Sequence, residues 1–175
     1  MKQKKCRVCK SEFTPTYATT QTVCSVKCAV VITEVKKYQE WAKKKAQLKK
    51  DLMTVQDYIK IAQQVFNQYI RQRDKNELCI SCQRKPLKKN AGHYMNANNH
   101  WAVRFDERNV NLQCESCNTY LSGNLINYRE NLIKKIGIEE LESLEAKSKE
   151  TRKFNIEELK EIISAYKKKI KELEN

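Results

Sequence analysis

Eight cysteines in 175 residues fall into two sets of four, and this pattern limits what the chain can fold into more than anything else in it. The first set is Cys6-x2-Cys9-x14-Cys24-x3-Cys28. The second pairs Cys79-x2-Cys82 with Cys114-x2-Cys117. Four thiolates at such spacings suit tetrahedral Zn²⁺, and an all-thiolate site is structural because no coordination position stays open for water. The segment around the first set is too small to hold its shape by burial. Metal binding, worth roughly 10–16 kcal/mol in small zinc domains, would supply its folding energy. The N-terminal Met1-Lys2-Gln3-Lys4-Lys5-Cys6 is charged and lacks the apolar core of a secretory signal. In a chain kept inside the cell, paired cysteines point to metal rather than disulfides. Two structural zinc ions are therefore expected.

Between the outer pairs of the second set lie Gly92-His93-Tyr94 and Asn109, and Asn118 directly follows Cys117. His93 is a candidate general base, since imidazole titrates near neutrality. Gly92 before it permits close approach of backbone or phosphate. Asn118, at the start of a helix expected from about Cys114, could place a carboxamide oxygen on a hard cation; oxygen donors favour Mg²⁺ or Mn²⁺ over zinc. The bland alternatives are a satisfied core histidine or an alternative zinc ligand, and a helix-capping asparagine. The other histidine, His100, has no motif position and reads as a surface or nucleic-acid contact.

Few turn formers (Gly 3, Pro 2) and abundant Lys, Glu, Leu and Ile predict a mainly helical chain. Helices are expected over 26–52, 55–73, 124–136, 138–149 and 156–173, with short strands near 91–95 and 101–105 or 109–112. Val31, Val35, Tyr38 and Ala42 form the stripe of the first helix; Trp41 beside them packs or contacts nucleic acid. Thr54/Asp57 and Asn155/Glu158 are capping-box-like helix starts. Tyr58, Ala62, Val65, Phe66, Tyr69 and Ile70 mark the core face of the second helix. Arg71 and Arg73 at its end serve the helix dipole or touch DNA. Ile156, Leu159, Ile163, Tyr166, Ile170 and Leu173 form a last stripe, buried against the same chain or a second copy. The expected organisation is a zinc module (1–28), a basic linking helix (29–52), a scaffold helix with the metal-stapled motif (53–124) and C-terminal helices (125–175).

The net charge of +14 is unevenly spread: residues 1–50 carry 13 Lys/Arg against 3 Asp/Glu, a net of +10. Such a concentrated positive field suits a polyanion, most simply nucleic acid. Lys43, Lys44, Lys45, Lys49 and Lys50 are the candidate contacts, or else a solvated basic helix end. No apolar run is long enough to cross a membrane.

Several blocks together resemble the phage lambda NinG (Rap) recombination endonucleases. They are Cys79-x2-Cys82, Ala91-Gly92-His93-Tyr94, Arg104-Phe105-Asp106-Glu107-Arg108-Asn109, Gln113-Cys114-x2-Cys117-Asn118 and Ser122-Gly123-Asn124, with the Cys6/Cys9/Cys24/Cys28 set and Tyr128. The resemblance covers most of the chain. It implies a small zinc-stapled ββα-metal (His-Me finger, HNH-like) core with an N-terminal zinc knuckle, similar also to junction resolvases of the endonuclease VII type. It implies a Mg²⁺- or Mn²⁺-dependent endonuclease for branched DNA such as Holliday junctions and D-loops, leaving 5′-phosphate and 3′-hydroxyl ends. A homodimer is the expected assembly, with the C-terminal helices as candidate dimer surfaces, and the bacterial cytoplasm is the setting of a phage or prophage protein. Carried over residue by residue, His93 is the base, Asn109 orients it, Asn118 is the catalytic metal ligand, and Cys79, Cys82, Cys114 and Cys117 are the staple. Two positions depart from the HNH pattern. Gly92 stands where many such nucleases place an acidic or histidine ligand, leaving Asn90 or Asp106 as candidate substitutes, and Leu121 stands where Lys is frequent. A non-enzymatic zinc-containing DNA-binding or recombination mediator is the alternative; it leaves His93, Asn109 and Asn118 without a role.

Overall fold

The computed structural model describes residues 2–174, which form two compact units divided between Met53 and Thr54. In the first, strands β1 (Lys4–Lys5) and β2 (Glu12–Phe13) pair antiparallel, with Lys4 opposite Phe13. Helix α1 (Val26–Asp51) follows, capped by Ser25, whose hydroxyl accepts from the Cys28 amide at 3.3 Å. The helix matches its expected bounds to within a residue. Its stripe, however, is not a core: no described residue of α1 is buried, and Val31, Val35 and Tyr38 are all exposed. Trp41 packs within the helix itself, 6.3 Å from the Tyr38 ring and under Lys45 Nζ at 4.9 Å.

The second unit is built around α2 (Val55–Arg73). Its capping box is complete: Thr54 Oγ1 accepts from the Asp57 amide, and Asp57 Oδ2 accepts from the Thr54 amide at 2.9 Å. The hydrogen bonds from Thr54 hold the Asp57 carboxyl below its ordinary range. Ile59, Ala62, Phe66, Tyr69 and Ile70 are buried on one face. That face meets both α5 (Ile156–Glu174) and a two-stranded antiparallel sheet of β3 (Lys89–His93) and β4 (Val110–Cys114). Tyr166 of α5 and Phe105 stack edge-on against Phe66, at 4.8 and 5.7 Å between ring centroids. The stripe of α5 therefore buries within its own chain, with Leu159 and Ile170 in the cores that α2 builds. α5 also begins with the expected reciprocal cap, Asn155 with Glu158. Helices α3 (Leu125–Ile136) and α4 (Ile138–Lys147) meet at Gly137, whose φ of 86° closes one helix and opens the next. They close a further core through Tyr128, Leu132, Leu141 and Leu144.

Of the two alternatives for the second strand, the structure takes the later: the strands are Lys89–His93 and Val110–Cys114, while Trp101–Val103 is a 3-10 turn. Side-chain hydrogen bonds from Asn109, described below, occupy the backbone of Met95 and Val103 and divert that segment from strand pairing. A helix does not begin at Cys114, which ends β4. Instead a single π-helical turn, Ser116–Tyr120, is stopped by three residues of positive φ: Ser122, Gly123 and Asn124.

Phe66 is fully buried between α5 and the sheet. Phe66→Ala is expected to destabilise the 54–175 unit by about 3–5 kcal/mol, measured by chemical denaturation followed by far-ultraviolet circular dichroism.

Candidate metal and active site

The two cysteine sets converge as the spacing predicts. Within each, the four Sγ atoms lie within 4.8 Å of one another, and all eight are free thiols. Cys9–Cys24 and Cys24–Cys28 are 3.4 and 3.8 Å apart, and Cys82–Cys114 is 3.8 Å. Tetrahedral Zn–S bonds of about 2.3 Å require S···S separations of about 3.8 Å. The backbone agrees at the Cys6-x2-Cys9 and Cys79-x2-Cys82 turns, where Lys10 N donates to Cys6 O and Gln83 N to Cys79 O, at 3.0 and 2.8 Å. Lys10 and Gln83 both take positive φ. Each set can therefore hold one zinc ion. Asn124, quoted above only within its motif, donates to Cys117 Sγ at 3.6 Å and so orients a thiolate.

The second cluster sits at one end of the β3–β4 hairpin and His93 at the other, since Lys89 pairs with Cys114 and His93 with Val110. Alternation along the strands sends His93, Ala91, Val110 and Leu112 to one face and Gly92, Asn111 and Gln113 to the other. The polar face is buried but hydrogen-bonded. Gln113 Nε2 donates to Ser81 Oγ at 2.7 Å and to the Gly123 carbonyl, while Asn111 donates to Tyr128 Oη at 3.2 Å. Tyr128, fully buried, donates in turn to the Gly92 carbonyl at 2.9 Å.

His93 is gripped on three sides. Tyr128 holds the carbonyl before it, and the next amide, Tyr94 N, donates to Asn109 O at 2.9 Å. The ring Nε2 lies 3.3 Å from the Arg104 carbonyl and 3.5 Å from Gln63 Nε2. The Arg104 carbonyl, the nearer partner, only accepts, which assigns the proton to Nε2 and the lone pair to Nδ1; Gln63 Nε2, a donor already bonded to Asn67 Oδ1 at 2.8 Å, is then a neighbour of the ring and not its hydrogen-bond partner. Burial lowers the His93 pKa from 6.5 to about 4, so the ring is neutral at pH 7. Arg104 is itself fixed: its Nη1 donates to Ala97 O at 3.0 Å, and its guanidinium lies 4.8 Å over the Trp101 ring.

Asn109, fully buried, does not touch the imidazole. Its Nδ2 donates to Met95 O and Val103 O, both at 3.0 Å, and its Oδ1 accepts from Met95 N at 2.7 Å. It ties off the loop between β3 and β4, and with it the carbonyl that meets His93. Asn109 thus bonds the loop and not the ring. Asn118 lies in the π turn, half-buried, without a side-chain hydrogen bond among the described residues. Asp106 is committed elsewhere: Arg108 and Lys147 bond it at 2.8 and 3.0 Å and hold its carboxyl down to about 2. Asn90 falls on the hairpin face opposite His93. Among the described residues no third cluster of His and carboxylates accompanies the cysteine sets. Asn118, just past Cys117, follows the cluster end of the hairpin while His93 lies at the other, and no hydrogen bond joins the two among the described residues; a hard cation on Asn118 would complete its shell with phosphate oxygens and waters. His100 has a structural partner, its Nδ1 lying 3.0 Å from the Ser148 carbonyl. Lys43, Lys44, Lys45, Lys49 and Lys50 are exposed on α1, with no carboxylate partner among the described residues.

The departure at Gly92 has a steric cause. A Cβ there would collide with the Gln113 side chain, meeting its Cβ and Cδ at 2.9 Å. Gly92→Ala is expected to lower stability by roughly 1–3 kcal/mol, read as a drop in melting temperature. Metal analysis is expected to find two zinc ions per chain. Cys117→Ser should leave one and shift the unfolding of the 54–175 unit to lower denaturant.

The family described as Bacteriophage Lambda NinG protein matches residues 1–175. The chain is 34% identical to Protein ninG of Escherichia phage 933W, over 99% of this chain and 94% of that protein. It is 42% identical to Protein ninG of Escherichia phage lambda over 67% of this chain and 58% of that protein. For Protein ninG of Salmonella phage P22 the identity is 43%, over 66% and 57%. No solved structure matches. Matched from end to end by that family and aligned almost throughout with the phage 933W protein, the chain belongs to the bacteriophage lambda NinG family.

Proposed function

We propose that this chain is a metal-dependent, structure-selective DNA endonuclease of the His-Me finger type, acting on branched recombination intermediates, with His93 as general base. The observation that carries this is the state of the imidazole. Hydrogen bonding of Nε2 to the Arg104 carbonyl leaves the lone pair on Nδ1, and burial keeps the ring neutral at physiological pH.

Nδ1 takes a proton from a water molecule. The resulting hydroxide oxygen forms a bond to phosphorus, and the P–O3′ bond breaks. Its electron pair leaves on the 3′ oxygen, which takes a proton from solvent, so the phosphate remains on the 5′ end. A Mg²⁺ or Mn²⁺ held by the Asn118 oxygen would supply positive charge to the phosphate and the leaving oxygen. Asn109 and Tyr128 act through the backbone, fixing the loop and strand that hold the ring. The exposed lysines of α1 would bind phosphates without reading bases. Two symmetric cuts at a four-way junction call for a two-fold dimer. Because α2 covers the stripe of α5, that stripe is not its interface.

The scarcity of protein ligands for a hard cation favours a second reading, a zinc-stapled DNA-binding mediator without cutting activity. Cleavage of a labelled four-way junction and its matched duplex, in Mg²⁺ or Mn²⁺, separates the two. The endonuclease reading expects junction cutting that falls by about 10²–10⁴-fold in His93→Ala while binding persists. Tight binding without cutting by either protein selects the mediator. The rate also has an expected pH profile. A base must be unprotonated, so activity is lost as pH falls through the folded-state value near 4 rather than through 6.5.

A further inference from the structure

Gln63, Asn67, Arg71 and Lys75 recur every four residues, so they share one face of α2 and its immediate C-terminal end. Two contacts fix how this face lies along β3. Gln63 Nε2 is 3.5 Å from the His93 ring, and twelve residues on, Lys89 Nζ donates to the Lys75 carbonyl at 2.6 Å. His93 and Lys89 sit at opposite ends of β3 and on the same face. α2 therefore runs beside β3 from His93 to Lys89, with Asn67 and Arg71 in between.

The far end is a shallow depression lined by Gln68, Arg71, Gln72, Lys75 and Lys89, three cations and two amides. None of the three cations forms an ion pair among the described residues. A carboxylate at its border, Glu174, accepts from Gln72 at 3.3 Å. Arg73, two residues from Arg71, is spent on structure: it grips Asp74 at 2.7 and 2.8 Å and donates to the Glu107 and Val110 carbonyls. The two arginines, indistinguishable by sequence position, are thus sorted by their partners.

We propose that this stripe is the track for the sugar–phosphate backbone of the nucleic-acid strand that reaches His93. Arg71, Lys75 and Lys89 bind its phosphates, and the amides of Asn67 and Gln68 bond its backbone oxygens. The inference rests on reading His93 as the cutting centre. From Gln63 to Arg73 the helix rises about 15 Å, and Lys75 extends the row just past its end, long enough to face several successive phosphates of one strand. Unpaired guanidinium and ammonium groups on a carboxylate-free floor complement such a row of anions, and they read charge rather than bases.

The test uses the full chain with a labelled four-way junction and a matched duplex, without added Mg²⁺ or Mn²⁺. Arg71→Ala is expected to weaken binding about tenfold and to lower the slope of log K against log salt by about 1; adding Lys89→Ala lowers it by about 2. DNA carrying a single neutral methylphosphonate near the cut should lose affinity for the wild-type chain. At the phosphate that Arg71 contacts, the Arg71→Ala chain should lose no more. The melting temperature of Arg71→Ala should stay unchanged, because the Arg71 side chain makes no hydrogen bond or ion pair among the described residues. Wild-type affinity, slope and methylphosphonate sensitivity in the variants would overturn the track, even if cutting depends on His93. Cutting that survives His93→Ala while Arg71 still governs binding would overturn the base assignment and leave the track.

Discussion

The convergence of Cys79, Cys82, Cys114 and Cys117 is the constraint on which the rest of residues 54–175 depends. It ends β4 at Cys114 and forces the chain into one π-helical turn. Three residues of positive φ then reverse the chain and aim the Gly123 carbonyl inward. That carbonyl and Ser81, from the other arm of the cluster, hold Gln113 on the buried face of the hairpin. Gln113 in turn fills the space above Gly92. A chain of short contacts thus runs from the thiolates to the residue preceding His93. Little of it is apolar, so its rigidity comes from hydrogen bonds made where water cannot compete.

The hairpin divides its labour by face. Toward α2 it presents Ala91 and Val110, which join Phe66, Tyr69 and Ile70, with His93 at the end of the same row. The opposite face buries Asn111 and Gln113, a costly arrangement unless their polar atoms are paired. Tyr128, Ser81 and Gly123 pair most of them, and Gln113 Oε1 is left without a partner. That oxygen lies against Gly92, where any larger residue would displace it. The absence of an acidic side chain beside His93 is therefore a packing consequence of Gln113, twenty-one residues away in sequence and diagonally across the sheet.

What was legible in the sequence was local or carried by rigid chemistry. The cysteine spacings foretold two four-thiolate clusters, and the Thr54/Asp57 and Asn155/Glu158 pairs foretold helix starts, because a cap is complete within four residues. The apolar period of α2 marked its core face for the same reason. Partners distant in sequence were not legible. The stripe of α1 has the period of a buried face yet stays exposed, whereas the equally periodic α5 is buried against α2. Periodicity states that a face exists, not what covers it. Asn109 illustrates the same limit at the site: its burial and its three hydrogen bonds to Met95 and Val103 depend on how a loop closes. His100 is settled only by the Ser148 carbonyl, forty-eight residues on.

Charge placement bears on what kind of selectivity this architecture can support. Residues 1–50 carry a net of +10, and the lysines at the end of α1 have no acidic partners among the described residues. Lys45 and Lys49 are one turn apart on the same helix face, a like-charge pair that is unfavourable until a polyanion relieves it. The depression beside β3, on the other compact unit, likewise gathers Arg71, Lys75 and Lys89 without ion-pair partners among the described residues. Contacts of this type fix position and carry no base sequence. Under the endonuclease reading, discrimination must then come from where phosphates lie in space. A straight duplex and a branch point differ in that respect even when their sequences are the same. On that reading, two basic units that each engaged phosphates independently would register such a difference in geometry.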